Sequence, residues 1–260
     1  MLLRRVMEHV KTQNWMAVAI DFVIVVVGVF IGIQVANWNE SRAFDVKEQE
    51  LLLELRREIE FAIETTKKWQ EGYGDVKRAA GRSLAFLDAN ESCTDNCWTV
   101  LVDFYHASQW IPVAVGRSTY DELRRLGLPR SREIVDLVES YLAQNHTSAV
   151  VFTDSPEYRT LVRSLVPTAV HDIYWATCYE LIDGLDVYKD DCPAGVSDEL
   201  ASQTVQRITR HPDIQTTLAF WYSEITPTVG ALGDQNDAAA RAIIAIDQVL
   251  ETKNTHEEQE

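Results

Sequence analysis

Residues 15–38 read WMAVAIDFVIVVVGVFIGIQVANW, and this stretch decides the architecture. Between Trp15 and Trp38 the sole ionisable residue is Asp21. Twenty-four helical residues rising 1.5 Å each span roughly 35 Å, enough to cross a hydrocarbon core of about 30 Å. The two tryptophans fall where aromatic anchors sit at the membrane interfaces. The run is longer than the roughly 7–15 apolar residues of a cleaved signal peptide. No small-x-small cleavage site comes after it; the chain continues directly into Asn39-Glu40. The pattern predicts an uncleaved signal anchor over residues 15–38.

The flanks set the orientation. Arg4, Arg5 and Lys11 precede the span against one acid, Glu8, and basic flanks stay in the cytoplasm. Residues 1–14 are thus expected to form a cytoplasmic stub, too short for a kinase, cyclase or DNA-binding module. The remainder is expected in the periplasm of a bacterial inner-membrane protein. Setting aside Arg4, Arg5, Lys11, Glu8 and Asp21 leaves 21 basic and 38 acidic residues, a net charge of −17. Such a domain is repelled by anionic lipid headgroups. It also lacks the basic footprint that nucleic-acid backbones demand, so no nucleic-acid partner is expected. At 260 residues, 46% of them hydrophobic, the chain can bury a real core, and 11 Gly with 7 Pro speak against turn-dense all-β or low-complexity folds.

Within the span, Gly28 and Gly32 form a small-xxx-small pair that Ala36 extends by one turn. Such a stripe lets helices approach closely in lipid, and it predicts a homo-oligomer formed through the membrane helix. Asp21 lies seven residues before Gly28 and so shares this face. An intramembrane carboxyl group is costly and points at a partner more readily than at lipid. Ala19-Ile20-Asp21-Phe22-Val23 resembles the single helix of proton-driven stator subunits over these five residues; the chain beyond the span does not resemble their periplasmic domains. The resemblance implies a proton-relay role for Asp21 as an alternative to a hydrogen bond across an interface.

Beyond Trp38 the chain predicts helices. Phe44, Leu51, Leu55, Ile59, Ala62, Trp69, Tyr73, Val76, Ala80, Leu84 and Leu87 recur at three- and four-residue steps, one apolar stripe. Gly72 and Gly74 are a possible bend. A short helix is expected near Trp98–His106, and Trp110–Val115 is open to an extended reading. Thr119 and Glu122 make a capping box, with Gly127 ending that helix. Ser131 caps a helix to about Asn145. Asp154-Ser155-Pro156 opens a longer one through Leu181, kinked at Pro167. Ser197 caps a segment to Thr209. A last stripe runs from Asp213 to Thr252 through Leu218, Trp221, Ile225, Val229, Leu232, Ala239, Ile243, Ile246 and Val249, with Pro227 and Gly230 as possible bends. Residues 253–260 read as a disordered acidic tail. The expected fold class is all-α: one transmembrane helix and a helical bundle over residues 39–252, its long first and last helices antiparallel.

The membrane exit Gln34-Val35-Ala36-Asn37-Trp38-Asn39-Glu40 and the later Ser118-Thr119-Tyr120-Asp121-Glu122-Leu123, with Gly127 and Tyr141, resemble the DUF6090-like family of bacterial single-pass membrane proteins. The resemblance covers the first 60 residues and residues 115–145 well, the rest loosely. It implies the fold and the location, and no activity.

Cys93, Cys97, Cys178 and Cys192 all fall outside the cytoplasm on this reading, where an even count points to disulfides. Three pairings are possible; local pairing, Cys93–Cys97 and Cys178–Cys192, is favoured because each pair closes a polar loop. The spacing is wrong for a structural zinc site, so no metal and no cofactor are expected. No nucleophile elbow, zincin helix or phosphate loop occurs, and the six histidines are scattered. The chain is therefore expected not to be an enzyme. Three functions remain: a non-catalytic membrane-anchored protein presenting its acidic domain to an unidentified membrane or periplasmic partner, an accessory subunit of a proton-driven motor or channel using Asp21, or a ligand-sensing domain for a partner transducer.

Overall fold

The computed structural model describes residues 15–182, 185–189 and 191–257, which leaves the expected stub, residues 1–14, outside the described part. The chain divides into two compact units, Met1–Leu51 and Leu52–Glu260. The helices among the described residues are α1 (Trp15–Ala89), α2 (Cys97–His106), α3 (Ser118–Arg125), α4 (Arg132–Val151), α5 (Glu157–Leu165), α6 (Thr168–Thr177), α7 (Asp198–Thr209) and α8 (Ile214–Glu257). With 78% of the chain helical, the all-α expectation holds in its coarse form.

In the first unit, every residue from Ala19 to Phe44 is exposed, including Phe22, Ile24, Val25 and Phe30. This apolar stretch is long enough to cross a membrane by length and composition.

In the second unit, α1 and α8 run antiparallel. Four hydrogen bonds mark the register: the Arg56 guanidinium to Asp247, Gln235 to Thr66, Gln70 to the Val229 carbonyl, and Gln215 to Asp88. Between them the stripes read from sequence meet: Leu55, Ile59, Ala62, Tyr73, Val76 and Ala80 are buried on α1, and Leu218, Trp221, Ile225, Leu232 and Ile246 on α8. α4 and α5 pack on α8, and α2 packs on α7.

Several local expectations change. Both long helices run unbroken through the expected bend positions, Gly72 and Gly74 in α1 and Pro227 and Gly230 in α8. A Pro inside a helix costs about 3 kcal/mol, here against the burial of Ile225, Thr228 and Leu232 around it. Thr119 and Glu122 do not cap α3; the Glu58 carboxylate of α1 does, accepting from the Ser118 and Thr119 amides at 3.1 and 3.0 Å. α4 continues six residues past Asn145 to Val151. Pro167 separates two helices rather than kinking one, since it stands at the N-cap of α6 without an amide to donate. Leu181, expected in that helix, lies instead in a two-stranded antiparallel hairpin, β1 (Tyr179–Ile182) with β2 (Leu185–Tyr188), Tyr179 opposite Tyr188. α8 runs to Glu257, so Lys253–Glu257, expected in the tail, are helical; residues 258–260 lie outside the described part. Ser131 and Ser197 cap as expected, accepting from the Ile134 and Leu200 amides.

Candidate functional site

The helix α1 brings Asp21, Gly28, Gly32 and Ala36 onto one face, because steps of seven and four residues return nearly to the same angle. All four are exposed, and a Cβ added at Gly28 or Gly32 would meet nothing within 4 Å. Trp38 is exposed, with the Arg42 guanidinium 5.7 Å from its ring centroid. Trp15 begins the helix; its side chain is outside the described part.

In the second unit the four cysteines pair locally. Cys93–Cys97 closes the turn entering α2, with Cα atoms 5.5 Å apart, and Cys178–Cys192 closes the segment carrying the hairpin, at 4.9 Å. The second bridge is seated in the core: Trp98 donates its indole N–H to the Cys192 carbonyl at 3.1 Å, and the Lys189 amide donates to the Cys178 carbonyl at 2.9 Å.

Around the C-terminal end of α2 lies the best-connected polar cluster of the second unit, and no motif pointed to it. Arg159 and Arg163 stand one turn apart on α5. Arg159 donates to the Ser108 carbonyl at 2.8 Å; Arg163 donates to Ser108 Oγ at 3.0 Å and Gln109 Oε1 at 2.8 Å. Gln109 Nε2 in turn donates to the Tyr174 hydroxyl. His171 Nε2 lies 3.1 Å from the Arg163 carbonyl, an acceptor, so Nε2 carries the proton and Nδ1 accepts from the Tyr105 hydroxyl at 2.6 Å. The Arg163 guanidinium lies 4.9 Å from the Tyr105 ring centroid and 5.5 Å from that of Trp175. Among the described residues neither arginine has a carboxylate within ion-pair distance. Burial lowers the pKa of both, and for Arg163 the charge of Arg159 lowers it further; burial raises the pKa of Tyr105 and Tyr174. Cations at the carbonyl-rich end of a helix are favourable. With Tyr105 and Tyr174 each only 1% exposed, the cluster acts as a brace that ties α5 and α6 to α2, and it presents no open nucleophile. His171 faces Tyr105.

Next to this brace is a cavity of about 260 Å³, walled by Trp69 and Tyr73 of α1, Trp110, and Tyr188 of β2, with the exposed Lys68 and Glu71 at its edge. Sequence showed Trp69 and Tyr73 as stripe residues of one helix; what closes the cavity is the hairpin, far along the chain. Among the described residues, no group of three or more His, Cys, Asp or Glu could hold a metal ion.

Compared with family models, with curated proteins and with solved structures, the chain matches none.

Proposed function

We propose that this chain is a non-catalytic, single-pass membrane protein that self-associates through the Asp21/Gly28/Gly32/Ala36 face and presents an acidic helical domain to a partner. The observation that carries the reading is the stretch Ala19–Phe44, apolar through Trp38 apart from Asp21, Gln34 and Asn37, and exposed throughout. Such a run of exposed apolar side chains on one helix, worth about 0.8 kcal/mol per CH₂ removed from water, needs a lipid or protein cover. Arg4, Arg5 and Lys11 before the span support a cytoplasmic N-terminus and a periplasmic disulfide-bearing part. Two bridges favour an oxidising compartment. Repulsion between a strongly acidic domain and anionic lipid leaves its surface open to other proteins. The glycine face supplies the self-association, since close backbone approach is what drives helix pairing where water is absent.

The test is a membrane two-hybrid assay on the full chain. Gly28→Leu, which puts a branched side chain on that face, is expected to cut the association signal severalfold while membrane insertion is unchanged. An association signal equal to that of the unaltered chain would refute self-association by this face.

A further inference from the structure

The cavity beside the α2 brace has a chemistry of its own. At about 260 Å³ it is just below the roughly 300–1,000 Å³ of ordinary small-molecule sites. Four aromatic rings, from Trp69, Tyr73, Trp110 and Tyr188, make its walls. In those walls the Trp110 indole N–H is buried without a partner, while Tyr73 and Gln109 are engaged. The Tyr73 hydroxyl donates to the Ile111 carbonyl at 2.5 Å and accepts from the Ile111 amide at 2.9 Å. Gln109, which also lines the cavity, has its amide bound to Tyr174 and Arg163. A ligand here meets aromatic rings, the unpartnered Trp110 indole N–H and, among the lining side chains, the carboxylates of Glu71, Asp75 and Asp186.

The lining charge is unbalanced: Glu71, Asp75 and Asp186 against Lys68. Asp75 is paired with Arg78, and Asp186 accepts from Tyr179 and feels the charge of Arg159. Glu71 carries no ion pair with any described residue. The chain as a whole, at −16, concentrates cations near its surface.

Gly72 adds an independent observation. It lies within α1, where glycine costs about 1 kcal/mol relative to alanine. Its φ is not positive, and nothing lies within 4 Å of the Cβ it lacks. Gly72 is one of the residues lining the cavity, and a side chain there would meet open space. The helix thus carries a destabilising residue where a larger one would narrow the cavity.

We propose that this cavity binds a small organic cation, a quaternary ammonium group on an apolar body, held among the rings of Trp69, Tyr73, Trp110 and Tyr188 with Glu71 at the edge. The quadrupoles of the four rings attract such a cation, and the Glu71 carboxylate at the edge adds to that attraction. Binding does not depend on where the chain resides or whether it self-associates.

The experiment is calorimetric titration of the full chain in lipid nanodiscs, with empty nanodiscs as blank, using benzyltrimethylammonium, benzyl alcohol and benzenesulfonate. The cation is expected to bind saturably, at least tenfold more tightly than the alcohol, and the sulfonate not at all. Tyr188→Ala is expected to weaken cation binding about tenfold, and the exposed Glu71→Gln two- to threefold with no change in helix content. Gly72→Leu is expected to abolish binding without lowering the melting temperature. No saturable binding of the cation, equal binding of the alcohol, or binding that survives Gly72→Leu in a folded protein would each overturn the proposal.

Discussion

Removing the Glu58 carboxylate isolates a contact that joins residues 60 positions apart. Glu58 receives the first two amides of α3, from Ser118 and Thr119, at 3.1 and 3.0 Å. A capping side chain is worth about 0.5–2 kcal/mol, and a charged acceptor lies toward the top of that range. Ser118 is exposed and water can replace its bond; Thr119 is buried, so its amide is left unsatisfied in Glu58→Ala. The expected loss is about 1.5–2 kcal/mol. For a unit of this size, at 2–4 °C per kcal/mol, the melting temperature falls by about 3–8 °C. Gly116 supplies the cross-check, because a Cβ there would sit 2.8 Å from Glu58 Oε1. Two amides pin that carboxylate, so Gly116→Ala is expected to cost about 1 kcal/mol in the native background. In the Glu58→Ala background the clash is gone and the cost vanishes. Urea unfolding of the full chain in detergent, monitored by circular dichroism for the four variants of the cycle, measures the coupling. Additive costs, or a loss below about 0.3 kcal/mol for Glu58→Ala, would refute the Glu58 cap.

Other consequences are as specific. Burial raises the pKa of Tyr73, Tyr141, Tyr158, Tyr174 and Tyr188, and burial with the Glu139 contact pushes Tyr120 up to about 12. The unfolded chain releases these protons near pH 10 while the folded one keeps them, so stability is fully present below that pH and falls above it by about 1.4 kcal/mol per pH unit for each such tyrosine. The urea midpoint is expected to hold level from pH 8 to 9.5 and to collapse by pH 11; a level midpoint at pH 11.5 contradicts the burial of these hydroxyls. Replacing both cysteines of the 178–192 bridge with serine, which frees residues 14 apart, is expected to cost about 3 kcal/mol, against about 2 for the shorter 93–97 bridge. Matching midpoints for the two double variants would contradict that ordering.

The sequence made the long elements legible because a single periodicity marks them. The stripes of α1 and α8 recur at three and four residues, and burial tracks them closely: Leu55 and Ile59 on α1 and Leu218 and Ile246 on α8 are all withdrawn from solvent. Caps were legible where donor and acceptor are three residues apart, as at Ser131 and Ser197. The α3 cap was not, since Glu58 reaches it from another helix, and no local rule couples positions 58 and 118. The hairpin was missed although its signal is present: Asp183-Gly184 sits between Leu181-Ile182 and Leu185-Asp186-Val187, an alternation with a turn pair that outranks a helical stripe. With the hairpin missed, the cavity was out of reach, because Tyr188 is what brings a fourth ring to Trp69, Tyr73 and Trp110. The brace was equally hidden; Arg159 and Arg163 read as polar residues of an amphipathic helix until α2 places Ser108 and Gln109 against them. The cysteine pairing was favoured from loop closure alone, and the Cα separations agree with it.

The account depends most on one helix crossing the bilayer once, with its bulk on the outer side. A fluorescent protein that matures only in the cytosol, fused after Glu260, reads this directly. Membrane fractions carrying the full-length fusion are expected to stay dark, while the same reporter placed before Met1 glows. Fluorescence from the C-terminal fusion would put Cys93, Cys97, Cys178 and Cys192 in a reducing compartment and contradict the orientation outright.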